Sequence, residues 1–264
     1  MTKRYQTFAV ACAKTLSSVL MARHVFLLGL FSVSALSLPG APSAEPAYVG
    51  SDACASCHED AAATWKSSHH ALAWTLPSPE TIAADFDGTA FAHGGVRARF
   101  RIEGDAYYIA VTEKDGVTTD YRVHSVAGAE PLQQYLLETE PGRLQSFDVV
   151  WDAEAGGWFH LYPEQDLPPD DGMHWTGPYK TWNARCAECH ATGYDKTYDA
   201  RTRSYASTQA EIGVGCEACH GPGSEHLRWT EGLKIAETGV DLDAYGFSQS
   251  FDTVEGTIQQ CATC

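Results

Sequence analysis

The chain spells Cys-x-x-Cys-His three times, at Cys54 to His58, Cys186 to His190 and Cys216 to His220. It ends on Cys261-Ala262-Thr263-Cys264, where the cysteine spacing recurs without a following histidine. Two thiols three positions apart can add across the two vinyl groups of one porphyrin. A histidine directly after the second is then placed to ligate the iron from the proximal side. Cys-x-x-Cys also serves zinc ribbons, dithiol redox sites and disulfides. None of those requires histidine after the second cysteine, and here it follows every complete pair. The spacing therefore predicts covalent haem c at Cys54, Cys57 and His58, at Cys186, Cys189 and His190, and at Cys216, Cys219 and His220. Cys261 and Cys264 are expected to hold a fourth haem whose histidine lies beyond residue 264; the competing reading is a terminal dithiol.

The N-terminus bears on compartment. Val25 to Leu38 is continuously apolar or small, follows Arg23 and His24, and leads into Ala41-Pro42-Ser43-Ala44. This is the layout of a secretory signal peptide cleaved within residues 41–44. A membrane anchor is the rival, but 14 residues fall short of the roughly 20 that a spanning helix needs. Met21 would give a signal of ordinary length, with residues 1–20 an upstream extension. Haem attachment by dedicated machinery takes place outside the bacterial cytoplasm, so a periplasmic or otherwise exported location is expected, with no stable membrane span after cleavage.

Charge limits the partners. The chain has 18 basic and 34 acidic residues; losing Lys3, Arg4, Lys14 and Arg23 with the signal leaves 14 basic residues and a net charge of −20. Nucleic acid is an implausible partner, because phosphate binding needs a basic surface. An acidic coat suits docking to a basic redox partner protein, or simply solubility.

The motifs are unevenly spaced: 127 residues separate His58 from Cys186 and 25 separate His190 from Cys216. Val96 to Ile102 alternates apolar residues with arginines, the period of a strand with one buried face. Glu103-Gly104-Asp105 then turns the chain, Tyr107 to Thr112 returns, Lys114-Asp115-Gly116 makes a second turn, and Thr118 to Val126 follows as a third strand. Further strands are expected at Leu144 to Trp151 and Gly157 to Tyr162. The fold class expected is α+β: a helix and loop multihaem core with an inserted small antiparallel β module. Its segments are a signal peptide over 1–44, a first haem segment over 45–89, the β insertion over 90–165, and a segment over 166–264 bearing motifs two, three and the incomplete fourth. Glu59 to Trp74, rich in Ala and free of Gly and Pro, predicts a helix running out of motif one. Gly221-Pro222-Gly223 should end the helix of motif three.

The remaining histidines decide between electron carriage and catalysis, since a second axial histidine closes an iron and an empty sixth position opens it to substrate. His69 and His70 lie 11 and 12 positions after His58, about 16–18 Å along a continuous helix. Two histidines on one iron hold their ligating nitrogens only about 4 Å apart. On that geometry the pair, if ligating, must reach another motif's iron. His226 is expected to cap a neighbouring haem, since six extended residues span at most about 20 Å. His174 is the next candidate, and His93, His124 and His160, in or beside the β insertion, rank lower.

Several segments together are similar to the secreted multihaem cytochromes related to the tetrahaem electron carriers of ammonia oxidation. They are Tyr48-Val49-Gly50-Ser51 leading into motif one, Trp65-x-x-Ser68-x-His70, Pro131-Leu132-Gln133-Gln134-Tyr135-Leu136 and Trp158-Phe159-His160-Leu161-Tyr162-Pro163. His174-Trp175-Thr176-Gly177 and motif three with Gly221-Pro222-Gly223-Ser224-x-His226 complete the set. The resemblance implies His70 rather than His69 as a distal ligand, and His226 as another. It also implies, for members with the β insertion, a continuation past the fourth motif into tetratricopeptide repeats.

The function expected is single-electron transfer through closely packed, mostly bis-histidine haems between donor and acceptor proteins. The alternative is a multihaem oxidoreductase acting on a small nitrogen or sulfur compound at a five-coordinate haem. There is no Cys-x-x-Cys-Lys motif and spare histidines outnumber haems, which leans towards the carrier. A redox-sensing or scaffold role, with the β insertion as a docking surface, is the third reading.

Overall fold

In the computed structural model, residues 45–232, 245–247 and 251–264 are described. The expected signal segment lies outside them. Among the described residues, nine strands make one antiparallel sheet: Trp74–Thr75 (β1), Ala90–His93 (β2), Val96–Glu103 (β3), Ala106–Thr112 (β4), Thr118–Ala127 (β5), Leu132–Glu140 (β6), Arg143–Ser146 (β7), Val149–Asp152 (β8) and Gly157–His160 (β9). The order is β2-β3-β4-β5-β6-β8-β9, with β1 paired to β5 and β7 to β6. The α+β class holds, but the described chain is β-rich rather than a helix and loop core carrying a small β module.

Alternation along β3 puts Ala98 and Phe100 in the core and Arg97 and Arg99 in solvent. Ile102 departs from that pattern at 50% exposure, because it sits at the strand's end beside the Gly104 turn. The core gathers round Phe86, whose ring meets Phe100, Tyr107, Tyr135 and Trp158 edge-on at 5.2–5.6 Å. That offset geometry suits the aromatic quadrupole, and truncating such a ring to alanine costs about 3–5 kcal/mol. A second buried cluster joins Trp74, Ala127, Leu136 and Leu144 of the sheet to Trp182, Ala187 and Ala191 around motif two.

The expected strand over Leu144 to Trp151 is two strands. β7 pairs with the C-terminal half of β6 and β8 with its N-terminal end. Phe147 and Asp148 form the break, with Phe147 turned into the core and Asp148 bound to Lys180 at 2.9 Å.

The haem segments contain short helices: Ser51–Ala55 (α1) and Glu59–Lys66 (α2) around motif one, Trp182–Arg185 (α3) and Ala187–His190 (α4) at motif two. Two pairings of two-residue strands follow: Ala191–Thr192 (β10) with Glu211–Ile212 (β13), and Tyr198–Asp199 (β11) with Ser204–Tyr205 (β12). Then come Cys216–His220 (α5), Ser224–Thr230 (α6) and Val254–Cys261 (α7). Gly221 ends α5 at φ +83°, a conformation glycine adopts without a Cβ penalty.

The helix expected over Glu59 to Trp74 stops at Lys66. Ser67 Oγ bonds back to the carbonyl of Thr64 and Ser68 Oγ accepts from the Ala71 N–H, so serine side chains replace helical bonds. A single 3₁₀ turn, Ala71–Ala73, then leads into β1. The continuous-helix distance from His58 to His69 and His70 therefore does not apply. No described helix is long and apolar enough to cross a membrane.

Candidate haem-binding site

Each motif is one helical turn. The His58 N–H donates to the Cys54 carbonyl at 3.0 Å and the His190 N–H to the Cys186 carbonyl at 3.2 Å, while motif three lies wholly within α5. The turn sets the histidine under its two cysteines, as one porphyrin requires.

Motifs one and three are bound together by carboxylates. Glu217, inside the third motif and 3% exposed, accepts from the N–H groups of Val49 (2.9 Å), Gly50 (2.8 Å) and Gly223 (2.7 Å). Glu211 accepts from Ser51 Oγ at 2.7 Å, and the same Oγ accepts from the Cys216 N–H at 3.0 Å. The Cys54 and Cys216 side chains consequently touch. The Cys261/Cys264 pair lies against the others: Gln260 Nε2 donates to the Ala218 carbonyl at 3.0 Å, and the Cys189 thiol reaches the Cys264 carbonyl at 3.5 Å.

The ring of His58 has its centroid 6.2 Å from that of His226, with planes at 33°. His226 donates from Nδ1 to the Tyr245 carbonyl at 2.7 Å, so its Nε2 remains for another partner. Phe247 and Trp229 stack on the same imidazole at 4.7 and 5.8 Å. His220 lies between Phe247 and Phe251, and burial, then the neighbouring His58 and His226, hold its pKa below the ordinary value. His190 donates from Nδ1 to the Ala73 carbonyl at 2.9 Å and meets Trp182 edge-on at 4.9 Å. A metal-ligating histidine has this habit, one ring nitrogen fixed by a carbonyl and the other free for the metal.

The other candidates are placed differently. His69 and His70 are exposed, and only backbone atoms of His70 are engaged, its carbonyl accepting from the Val214 N–H at 3.0 Å. His174 is 7% exposed in the β-rich part, with Nδ1 on Thr176 Oγ1 at 2.8 Å and Nε2 3.7 Å from Glu113. Both nitrogens therefore face protein partners. His93 and His160 stack at 5.2 Å, and His124 Nδ1 pairs with Ser125 Oγ at 2.9 Å. Reading from the sequence passed over Glu217, Glu211, Tyr245 and Phe247; a glutamate directly after the first cysteine of motif three was the signal available for one of them.

The residues fit haem c. Burial pushes the Cys54 thiol up to about 11, aided by Cys216 and Glu217, and burial likewise raises Cys186, Cys189 and Cys219. The indole N–H of Trp182, 2% exposed beside His190, has no acceptor among the described residues. Buried indole donors are normally satisfied, and a porphyrin propionate is an acceptor of the right kind.

The family described as "Cytochrome c554 and c-prime" matches residues 53–90 and 171–221, which hold the three complete motifs on either side of most of the sheet. With the motif geometry, that match supports a multihaem c-type cytochrome with covalently bound haem c. Two solved structures are similar to this chain. One is the outer cell wall cytochrome OcwA, at 20% identity and a TM-score of 0.48 over 82% of this chain and 37% of that one. The other is an undecahaem cytochrome from the S-layer of Carboxydothermus ferrireducens, at 20% and 0.47 over 85% and 26%. This chain thus spans well under half the length of either. No curated protein matches it.

Proposed function

We propose that this chain is an exported electron carrier that passes single electrons through packed, mostly bis-histidine haems. Haem groups sit at motifs one, two and three, and Cys261 and Cys264 supply the thiols for a fourth. The observation that carries the reading is the His58–His226 pair. Two imidazoles on one iron, with metal–nitrogen bonds of about 2 Å, hold their ring centroids roughly 6 Å apart, and these stand at 6.2 Å. His226 would then cap the haem of motif one, a neighbour of its own motif. The iron supplies the redox chemistry; the chain supplies spacing, axial ligands and a shielded environment.

The acidic surface, −20 after loss of the signal, supports docking to basic donor and acceptor proteins. A haemochrome assay on the haem-loaded protein should give three haems per chain from the complete motifs, and a count of zero with bound zinc would overturn the reading. Carbon monoxide added to the reduced protein separates carrier from catalyst. Spectra that do not change favour the carrier, and a carbonyl complex at any haem would sink it.

A further inference from the structure

The histidine of motif two is held from outside its own segment. Its Nδ1 proton goes to the carbonyl of Ala73, which also accepts from the Gly128 N–H at 3.3 Å. Ala73 directly precedes β1, where Trp74 pairs with Ala127 of β5. Trp74 is 3% exposed, and its indole N–H donates to Ser125 Oγ at 2.7 Å in a fully buried bond. The Trp74 ring meets Trp182 at 5.4 Å and 62°, and Trp182 meets the imidazole of His190 at 4.9 Å and 66°. Asn183, next in α3, accepts from the Leu144 N–H at 2.8 Å and donates to the Gly142 carbonyl at 3.1 Å, fixing the helix to β7.

We infer that the β sheet, which carries no haem motif of its own, positions His190 and thereby sets the potential of the haem at motif two, with Trp74, Ser125 and Trp182 as the positioning residues. This rests on His190 being an iron ligand. A carbonyl that takes the Nδ1 proton makes the imidazole a stronger electron donor, which favours the ferric state and lowers the potential. The bond is only as constant as the carbonyl's position. Ser125 anchors Trp74, Trp74 locks β1 in register, and β1 fixes Ala73. Trp182 braces the ring from its other side.

The test is a spectroelectrochemical titration of the haem-loaded full chain and its variants. His190→Met, which exchanges the ligand, marks the reduction step belonging to motif two. Ser125→Ala and Trp74→Phe, which each remove one end of the buried bond while keeping a small or an aromatic side chain in place, should each move that step to higher potential and leave the others in place. Ser125→Thr, retaining a hydroxyl, should restore it. Ile109→Val, in the same sheet but in the other core cluster, should lower thermal stability with every potential unchanged. Unmoved potentials in both Ser125→Ala and Trp74→Phe would overturn the inference. So would equal movement of all steps, the mark of general loosening. The underlying reading fails separately if His190→Met leaves all potentials and the low-spin spectrum intact.

Discussion

His58 and His226 come from different motif segments, 168 positions apart in the chain, and their imidazoles lie 6.2 Å apart with His226 oriented by the Tyr245 carbonyl. Under the proposed ligation, a ligand drawn from beyond the third motif makes the first haem a joint property of two segments. Replacing His226 with Ala should convert one haem, and only one, from six- to five-coordinate. Electron paramagnetic resonance would show a new high-spin ferric signal, and the reduced variant would bind one carbon monoxide per chain. A fully low-spin spectrum in His226→Ala would remove His226 from the ligand set.

Gly246 lies at φ +92°, and a Cβ there would fall 2.6 Å from the His226 Cα and 2.7 Å from its nitrogen. Gly246→Ala should cost about 1–3 kcal/mol from backbone strain alone and displace the carbonyl that orients His226. Tyr245, at φ +53°, gives the opposite case. Asparagine tolerates that conformation, so Tyr245→Asn should leave stability within roughly 1 kcal/mol of the parent. Paired thermal melts of the two haem-loaded variants make the comparison.

Glu217 takes three backbone N–H groups on one buried carboxylate. Glutamine keeps the size but turns an NH₂ towards donors and loses the charge. A drop of about 2–4 kcal/mol is expected, from one or two charge-assisted bonds at about 1.5–3 kcal/mol each. Chemical denaturation of Glu217→Gln measures it, and a change below 0.5 kcal/mol, which is about the ordinary surface-substitution range, would contradict this account.

Glu113 couples stability to acid. Burial alone would raise its pKa, but the neighbouring His174, the hydrogen bond from the Trp175 indole and the charge of Lys114 outweigh burial and hold the carboxyl below its usual range. A folded pKa below the unfolded one gives stability that is present above about pH 4.5 and lost as pH falls through the folded value. Glu113→Gln should therefore be less stable than the parent at pH 7, with the gap closing as the medium becomes acidic. Denaturant midpoints at pH 7, 5 and 3.5 would record it; a gap that widens on acidification reverses the sign and refutes the claim.

The parts legible in the sequence were those governed by local rules. The alternation that makes β3, the glycine turns, and Gly221 as the end of α5 all depend on neighbours within a few positions. The parts missed depend on distant partners. β6 was not read as a strand because Gln133 and Gln134 interrupt its apolar run. Gln133 is nonetheless 2% exposed, accepting from the Ala83 N–H and donating to the Thr81 carbonyl in a loop 50 residues away. The alanine-rich helix after motif one overran for a related reason. Propensity favours continuing past Lys66, but Ser67 and Ser68 close the turn and Trp74 is claimed by β5. At the site, the motif residues were plain from spacing. The Nδ1 partners of His190 and His226 are backbone carbonyls, and no side-chain pattern announces those.

The grip of Glu217 on Val49 and Gly50 spans 168 positions and has a temporal consequence. Domains are made from the N-terminus onward, so on the proposed export route motif one emerges long before the carboxylate that completes its surroundings. The first porphyrin must then be joined to an open strand of polypeptide, and the walls of its pocket close only afterwards, when the third motif arrives. Maturation in this arrangement runs in chain order while folding waits for the far end. A pause or a cut between the two would leave a loaded but unsheltered haem.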